Sequence, residues 1–350
     1  MNIHRAFARV ALAGALLVGV AGLGFAAAPT AHAAGCTPVN MESGDEESLT
    51  ALIVVSGTKP VTISGAQNAT GCDIGVYIAP GARATISYAD IYSATAFGIY
   101  NDGGQVTISH TQVHGILGNG ESCGDEDEES CGGGGGGSGE SRSYTGGRHG
   151  TGILFVGAGA RGTITSSVVS DYGRRGISVS GPGASAQITG NQVIAPSSPT
   201  SWLNGVWIAN GARANIVGNH ISGNVTPDPM GKSSSAIMIA GGASHNGMPY
   251  YTNNIQISGN TLTNNDTGVL LSNVGLSGTT KVAPATPTRN YVAGNTVKPS
   301  NPVASNDAGI KDAGGNRDNI TGNVITGYGD KAIVITPLSV NTLVAGNTIN

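Results

Sequence analysis

The sequence predicts an all-β solenoid, in which short strands wind into stacked coils around one continuous interior. A short apolar strand opening on a small residue recurs along most of the 350 residues, and a second repeated half ends in a glycine-asparagine corner. The composition agrees: 57 glycines, 5% aromatic and 11% charged residues suit many tight turns and few bulky layers. No helical period holds over a useful window, and glycine does not fall at every third place, which excludes collagen.

The opening strands are, in order, GVYI at Gly75, GIYN at Gly98, GILF at Gly152, GISV at Gly176, GVWI at Gly205, AIMI at Ala236, GVLL at Gly268, GIKD at Gly309 and AIVI at Ala332. Successive starts lie 23, 54, 24, 29, 31, 32, 41 and 23 residues apart, so one unit length is kept while loops are inserted. Period-two alternation turns Ile99, Ile153, Ile177, Val206, Ile237, Val269, Ile310 and Ile333 inward. The same alternation turns Tyr77, Tyr100, Leu154, Ser178, Trp207, Met238, Leu270, Lys311 and Val334 outward. The second halves, from ITGNQV at Ile188 to VAGNTI at Val344, set Asn191, Asn219, Asn260, Asn295, Asn323 and Asn347 at one corner. Asparagine tolerates left-handed backbone, and its amide can bond main-chain groups or the next asparagine in a stack. Earlier units put Ala89, Thr111 and Ser167 there.

From Leu52 to Asn350 these units resemble the right-handed parallel β-helix repeat, the pectin-lyase-like fold. The resemblance implies about nine to ten coils with an asparagine ladder and loop insertions. It also implies a substrate groove on the outer face of the first sheet. That fold carries lyases, hydrolases, epimerases, adhesins and phage proteins, so function has to be argued from the site.

Residues 1–33 read as a secretory signal: Arg5 and Arg9 lead, Val10 to Ala28 is apolar, and Ala31-His32-Ala33 is a cleavage site. The domain is then 34–350, and export to the extracellular space is expected. Gly35-Cys36 looks like the end of a lipidation box, the alternative to soluble export, but Ala33 stands where such boxes carry leucine. After Ala34 no apolar run approaches bilayer-spanning length, so no integral membrane contact is expected. With 17 Lys+Arg against 21 Asp+Glu there is no polybasic footprint for nucleic acid or an anionic membrane. Four cysteines in an exported chain imply disulfides; Cys123 with Cys131 and Cys36 with Cys72 is the first expectation, with the other pairings open.

The candidate chemistry gathers around the outer face. SDYGRRGISV places Asp171, Tyr172, Arg174 and Arg175 in the loop before one groove strand. An arginine there would neutralise a uronate carboxylate, and a basic side chain or tyrosine would move the C5 proton, as polysaccharide β-elimination requires. His149 and Lys311 are further acid or base candidates. Tyr77, Tyr100 and Trp207 offer ring faces to sugars, and Arg148 is a further substrate-binding candidate. The competing readings are an inter-coil ion pair for the arginines and packing under loops for the rings.

The insertion 115–150 is read as a glycine-rich, acidic flap beside the groove, closed by the Cys123 to Cys131 loop. Its run Asp125, Glu126, Asp127, Glu128 and Glu129 suits calcium by ligand type but lacks the spacing of a calcium loop. Asp171, Asp266, Asp307, Asp312 and Asp330 lie near the groove and could supply the carboxyl pair of a glycoside hydrolase. The signatures of polygalacturonases, alginate epimerases and pectate lyases are missing. The GAR triplets ending at Arg83, Arg161 and Arg213 suit a structural turn or a basic groove wall, and His110 with His114 has no zinc spacing in strand context. The expectation is a secreted protein binding a polysaccharide, an acidic one by preference. It would be lyase-like if an enzyme, with a non-catalytic surface or adhesion module and a hydrolase as alternatives. The strand edge at the C-terminal end suits self-association.

Overall fold

The computed structural model describes residues 35–39, 49–118, 150–226, 234–242, 244–245, 248–277, 280–300 and 307–350. The expected leader 1–33, the Cys123 to Cys131 loop, its acidic run, Arg148 and His149 lie outside them.

Each coil lays one strand on a first, 11-stranded sheet: Thr37–Val39, Leu49–Val55, Ile74–Ile78, Phe97–Asp102, Thr151–Val156, Arg175–Ser180, Asn204–Ala209, Ser235–Gly241, Thr267–Asn273, Ala308–Asp312 and Ile333–Ile335. Every pairing in it is parallel except the first, where Thr37–Val39 runs antiparallel to Leu49–Val55. Most of the other strands form a second, 18-stranded sheet, bent at the asparagine corner between pairs such as Ser185–Thr189 and Gln192–Ile194, and Ser244–His245 with Met248–Pro249 and Gly275–Ser277 with Thr280–Val282 make two small antiparallel pairs.

The predicted inward row is in register across the first sheet, Ile99 to Ile153, Ile177, Val206, Ile237, Val269 and Ile310, with Val76 continuing it one coil earlier, and every one of these side chains is fully buried. Burying one such aliphatic side chain is worth about 1.5–3 kcal/mol, and only stacking makes the row continuous. Ile333 ends it and is partly buried. The small opening residue has a steric cause: a Cβ at Gly176 would lie 2.6 Å from the carbonyl oxygen of Gly205 in the next coil and 2.5 Å from Val193.

The asparagines form a ladder. Asn191 Nδ2 donates to Asn219 Oδ1 at 3.0 Å, and the pattern repeats from Asn219 to Asn260 at 3.0 Å, then through Asn295, Asn323 and Asn347 at 2.9 Å each. Each Oδ1 also accepts the backbone N–H of the preceding asparagine, at 2.9–3.0 Å. A corner that would strand buried polar groups is thereby satisfied from both sides.

Cys36 and Cys72 are joined in a disulfide, 36 residues apart. It ties the antiparallel first strand to the buried corner at Cys72. At the other end Leu343, Val344 and Ile349 are 53%, 44% and 55% exposed, although Val344 and Ile349 continue the interior rows of Ile320 and Ile325.

Candidate functional site

The outward row of the first sheet is also in register, but outward from the coil does not mean exposed. Tyr77, Tyr100, Leu154 and Ser178 are buried, Trp207 is 8% exposed, and only from Met238 through Leu270, Lys311 and Val334 is the row half-exposed. Tyr77 and Tyr100 belong to a second apolar cluster with Val39, Leu49, Ile74, Phe97 and Leu154. Their rings lie 5.7 Å apart, Phe97 meets Tyr100 edge-on at 5.0 Å, and the Tyr77 hydroxyl donates to Asp102 Oδ2 at 2.9 Å. These two tyrosines are therefore core packing and not open stacking platforms, because the face they occupy is itself a buried layer.

Tyr172 is corrected in the same way. It points into the coil with no exposed surface and donates its hydroxyl to Asn224 Oδ1 at 2.7 Å. Burial pushes its ionisation far above the ordinary tyrosine range, which removes it as a proton shuttle. It starts a second internal ladder: Asn224 Nδ2 donates to Asn265 Oδ1 at 2.8 Å, and Tyr328 donates its hydroxyl to the Asn265 carbonyl at 3.0 Å. The recurring spacing of Asn224 and Asn265 was the only signal for it in the sequence.

The carboxylates near the groove take separate settings. Asp171 is exposed at a left-handed corner with φ 51°. Asp266 braces loops, its Oδ2 accepting the N–H groups of Thr226 at 2.7 Å and Ser234 at 3.2 Å. Asp312 follows the inward alternation and accepts from Ser339 Oγ at 2.8 Å and Thr342 Oγ1 at 2.6 Å inside the coil. Asp307 is buried and Asp330 lies exposed in a short 3-10 turn. Arg83, Arg161 and Arg213 are exposed at the starts of strands of the second sheet.

What the fold does bring together is Arg175, Ser178, Asn204 and Trp207. Arg175 pairs in register with Asn204, and Ser178 with Trp207, so the four occupy adjacent outward places on the neighbouring strands Arg175–Ser180 and Asn204–Ala209. The Arg175 guanidinium lies 3.6 Å from the centre of the Trp207 ring, and just before these strands Arg174 lies 3.0 Å over Trp202. Both tryptophans of the chain thus carry an arginine. Arg175 is 4% exposed, and among the described residues its guanidinium has no carboxylate and no hydrogen-bond partner. Ser178 Oγ and Asn204 Nδ2 are likewise buried without a partner among the described residues, while Asn204 Oδ1 accepts from Ser235 Oγ at 2.6 Å.

Burial lowers the Arg175 pKa to about 10, so the group is still a cation at neutral pH. The Trp207 face supplies partial compensation. A cation, a hydroxyl and an amide donor without hydrogen-bond partners among the described residues make this part of the face electropositive. Lys311, four strands further along the row, stands roughly 19 Å away at about 4.8 Å per strand and cannot act on the same small group. Among the described residues no group of three or more His, Cys, Asp or Glu side chains is placed to hold a metal.

The family described as right handed beta helix region matches residues 51–248. No curated protein matches the chain. Among solved structures the Dettilon tailspike protein aligns at 15% identity with a TM-score of 0.42, covering 85% of this chain and 52% of that one, so the chain spans about half its length. The A-module of a mannuronan C-5 epimerase from Azotobacter vinelandii aligns at 13% identity with a TM-score of 0.32, covering 85% of this chain and 87% of that one.

Proposed function

The chain belongs to the right-handed β-helix family, and on that scaffold we propose that it binds an acidic polysaccharide along the outer face of the first sheet, with a carboxylate seated against Arg175. The observation that carries this reading is the buried guanidinium, which among the described residues has no counter-charge, flanked by Ser178 Oγ and Asn204 Nδ2, which among those residues have no hydrogen-bond partner. An unpaired buried charge costs several kcal/mol, and an anionic ligand offsets that cost. The half-exposed row from Met238 to Val334 gives the polymer a path away from the pocket, and Lys311 meets a second carboxylate on it.

The reaction such a pocket assists is β-elimination. Pairing a uronate carboxylate with Arg175 acidifies the C5 proton; a base removes it, the C4–O bond breaks, the C4=C5 bond forms, and the departing glycosidic oxygen takes up a proton. Asp171, near the end of the strand Val168–Tyr172, Arg174, on the short turn into Arg175–Ser180, and His149 are the residues this reading assigns to proton transfer. Export belongs to the same reading, supported by the leader-like residues 1–33 and by a disulfide, a bond that persists in oxidising compartments.

Affinity electrophoresis in gels containing polygalacturonate, alginate or hyaluronan tests the binding, with ultraviolet absorbance of unsaturated uronates followed in parallel. The expected result is salt-sensitive retardation that Arg175→Met weakens by about tenfold or more. Equal retardation of the variant in every acidic gel overturns the pocket. Retardation without absorbance change assigns the chain to binding alone.

A further inference from the structure

The corner that later carries the asparagine ladder holds a different set of side chains in the early coils. The residue just before the ladder position has positive φ throughout, and in the later coils it is Gly190, Gly218, Gly259, Gly294, Gly322 and Gly346. Earlier it is Tyr88 at φ 52° and His110 at φ 50°. Left-handed backbone costs a residue with a side chain about 1–2 kcal/mol, so two aromatic rings are held here against a local preference for glycine. The rings are parallel, with centroids 5.0 Å apart and planes 10° from each other, and Tyr88 is 71% exposed.

A second stack stands beside the first. Tyr92 and His114 lie 5.4 Å apart, also at 10°, and His114 Nε2 meets Asp90 Oδ1 at 2.9 Å. Tyr88, Asp90 and Tyr92 alternate outward along one strand, and Asp90 and Tyr92 pair with Gln112 and His114 of the next coil. Each tyrosine has a histidine on one face, so its other face looks toward the preceding coil. There the chain offers Gly65, Ala66 and Asn68, of which Ala66 and Asn68 pair with Asp90 and Tyr92. A Cβ added at Gly65 would meet nothing within 4 Å. The result is an aromatic step, two tyrosine faces rising from a floor of small residues, with a carboxylate between them whose second oxygen takes no hydrogen bond among the described residues.

We infer that this step is a second binding site, separate from the Arg175 pocket, and that its ligand is a neutral pyranose. The apolar face of a sugar ring takes the place of the missing next ring in each stack, at the spacing the coils already set. Asp90, held by His114, accepts from ring hydroxyls. The same carboxylate repels uronates, so the two sites sort polymers by charge.

The test is affinity electrophoresis of the full chain in gels containing a mixed-linkage β-glucan, xylan or galactomannan. The proteins compared are the wild type, the Tyr88→Gly/Tyr92→Ala double variant, Asp90→Asn and Arg175→Met. Retardation of the wild type in at least one neutral gel is expected, weakened about tenfold in the double variant and unchanged in Arg175→Met. Thermal unfolding of Tyr88→Gly alone at or above the wild-type temperature separates lost binding from lost folding, since glycine relieves the corner. The inference is overturned by absence of retardation in every neutral gel, or by equal retardation of the double variant. It is also overturned if sedimentation shows that the wild type self-associates and the double variant does not, which makes the step a contact between copies.

Discussion

The early and late coils use one backbone corner for opposite ends. In the late coils glycine takes the left-handed position without strain and the following asparagine bonds the coils above and below. In the early coils Tyr88, His110 and Ser166 take the left-handed position; Ala89 has no polar side chain, Thr111 donates its N–H to Ser167 Oγ at 3.2 Å and its Oγ1 to the Ile86 carbonyl at 3.3 Å, and no side-chain amide continues the ladder there. The difference teaches that the late coils hold the solenoid together while the early ones give up corner stability to place aromatic side chains in solvent.

The strongest way to break this comparison is Asn260→Ala. It deletes donors to Asn295 Oδ1 and the Ile216 carbonyl, both at 2.9 Å, and strands the N–H and Nδ2 of Asn219. A loss of about 3 kcal/mol or more in denaturant unfolding is expected, against about 1 kcal/mol for Thr111→Ala, and similar losses would erase the distinction.

The late coils also contain a rung with the wrong charge. Asn290 N–H donates to Asp318 Oδ1 at 2.7 Å, as Ile255 N–H donates to Asn290 Oδ1 at 3.1 Å, so Asp318 occupies a ladder place that an amide would fill. Burial, with the nearby Asp312 carboxylate as a lesser cause, raises its pKa from 3.8 to about 6. The native state therefore holds its proton more tightly than the unfolded chain, and stability falls as pH rises between about 4 and 6. Asp318→Asn should flatten that slope and unfold up to about 3 kcal/mol less readily at pH 7; a slope unchanged by the substitution would assign it to another group.

Two smaller effects sharpen the contrast from both sides. Gly218→Ala, at φ 64° with open space around the added Cβ, should cost about 1 kcal/mol from backbone strain alone, while Tyr88→Gly should gain about as much. Ser167→Asn, at the head of the ladder, should raise the thermal midpoint by a few degrees by adding one rung; about 1 kcal/mol is the scale of one such bond.

Much of this was legible in the chain. The unit spacing, the inward row from Ile99 to Ile310 and the corner at Asn191 to Asn347 all follow from period-two alternation and from what a tight turn permits. Alternation gives direction and not cover, so it leaves Tyr77 and Tyr100 between open rings and packing under loops, and a residue in a corner loop such as Tyr172 can turn either way. Arg175 was legible as a basic residue beside the groove, but its fit against Trp207 and its nearness to Ser178 and Asn204 were not. The Tyr88 step was hidden because its signal is a missing glycine, visible only once the corners are superposed.

The sequence by itself determined the coil, because each unit carries its own strand pattern, its own turn residue and an apolar row that only stacking can bury. Tertiary structure alone decided which outward residues meet solvent and which polar atoms lack partners. Those properties belong to residues 25 to 40 positions apart that the winding sets side by side, and no local pattern encodes the contact between them; Tyr77 and Asp102, separated by 25 residues, are one such pair.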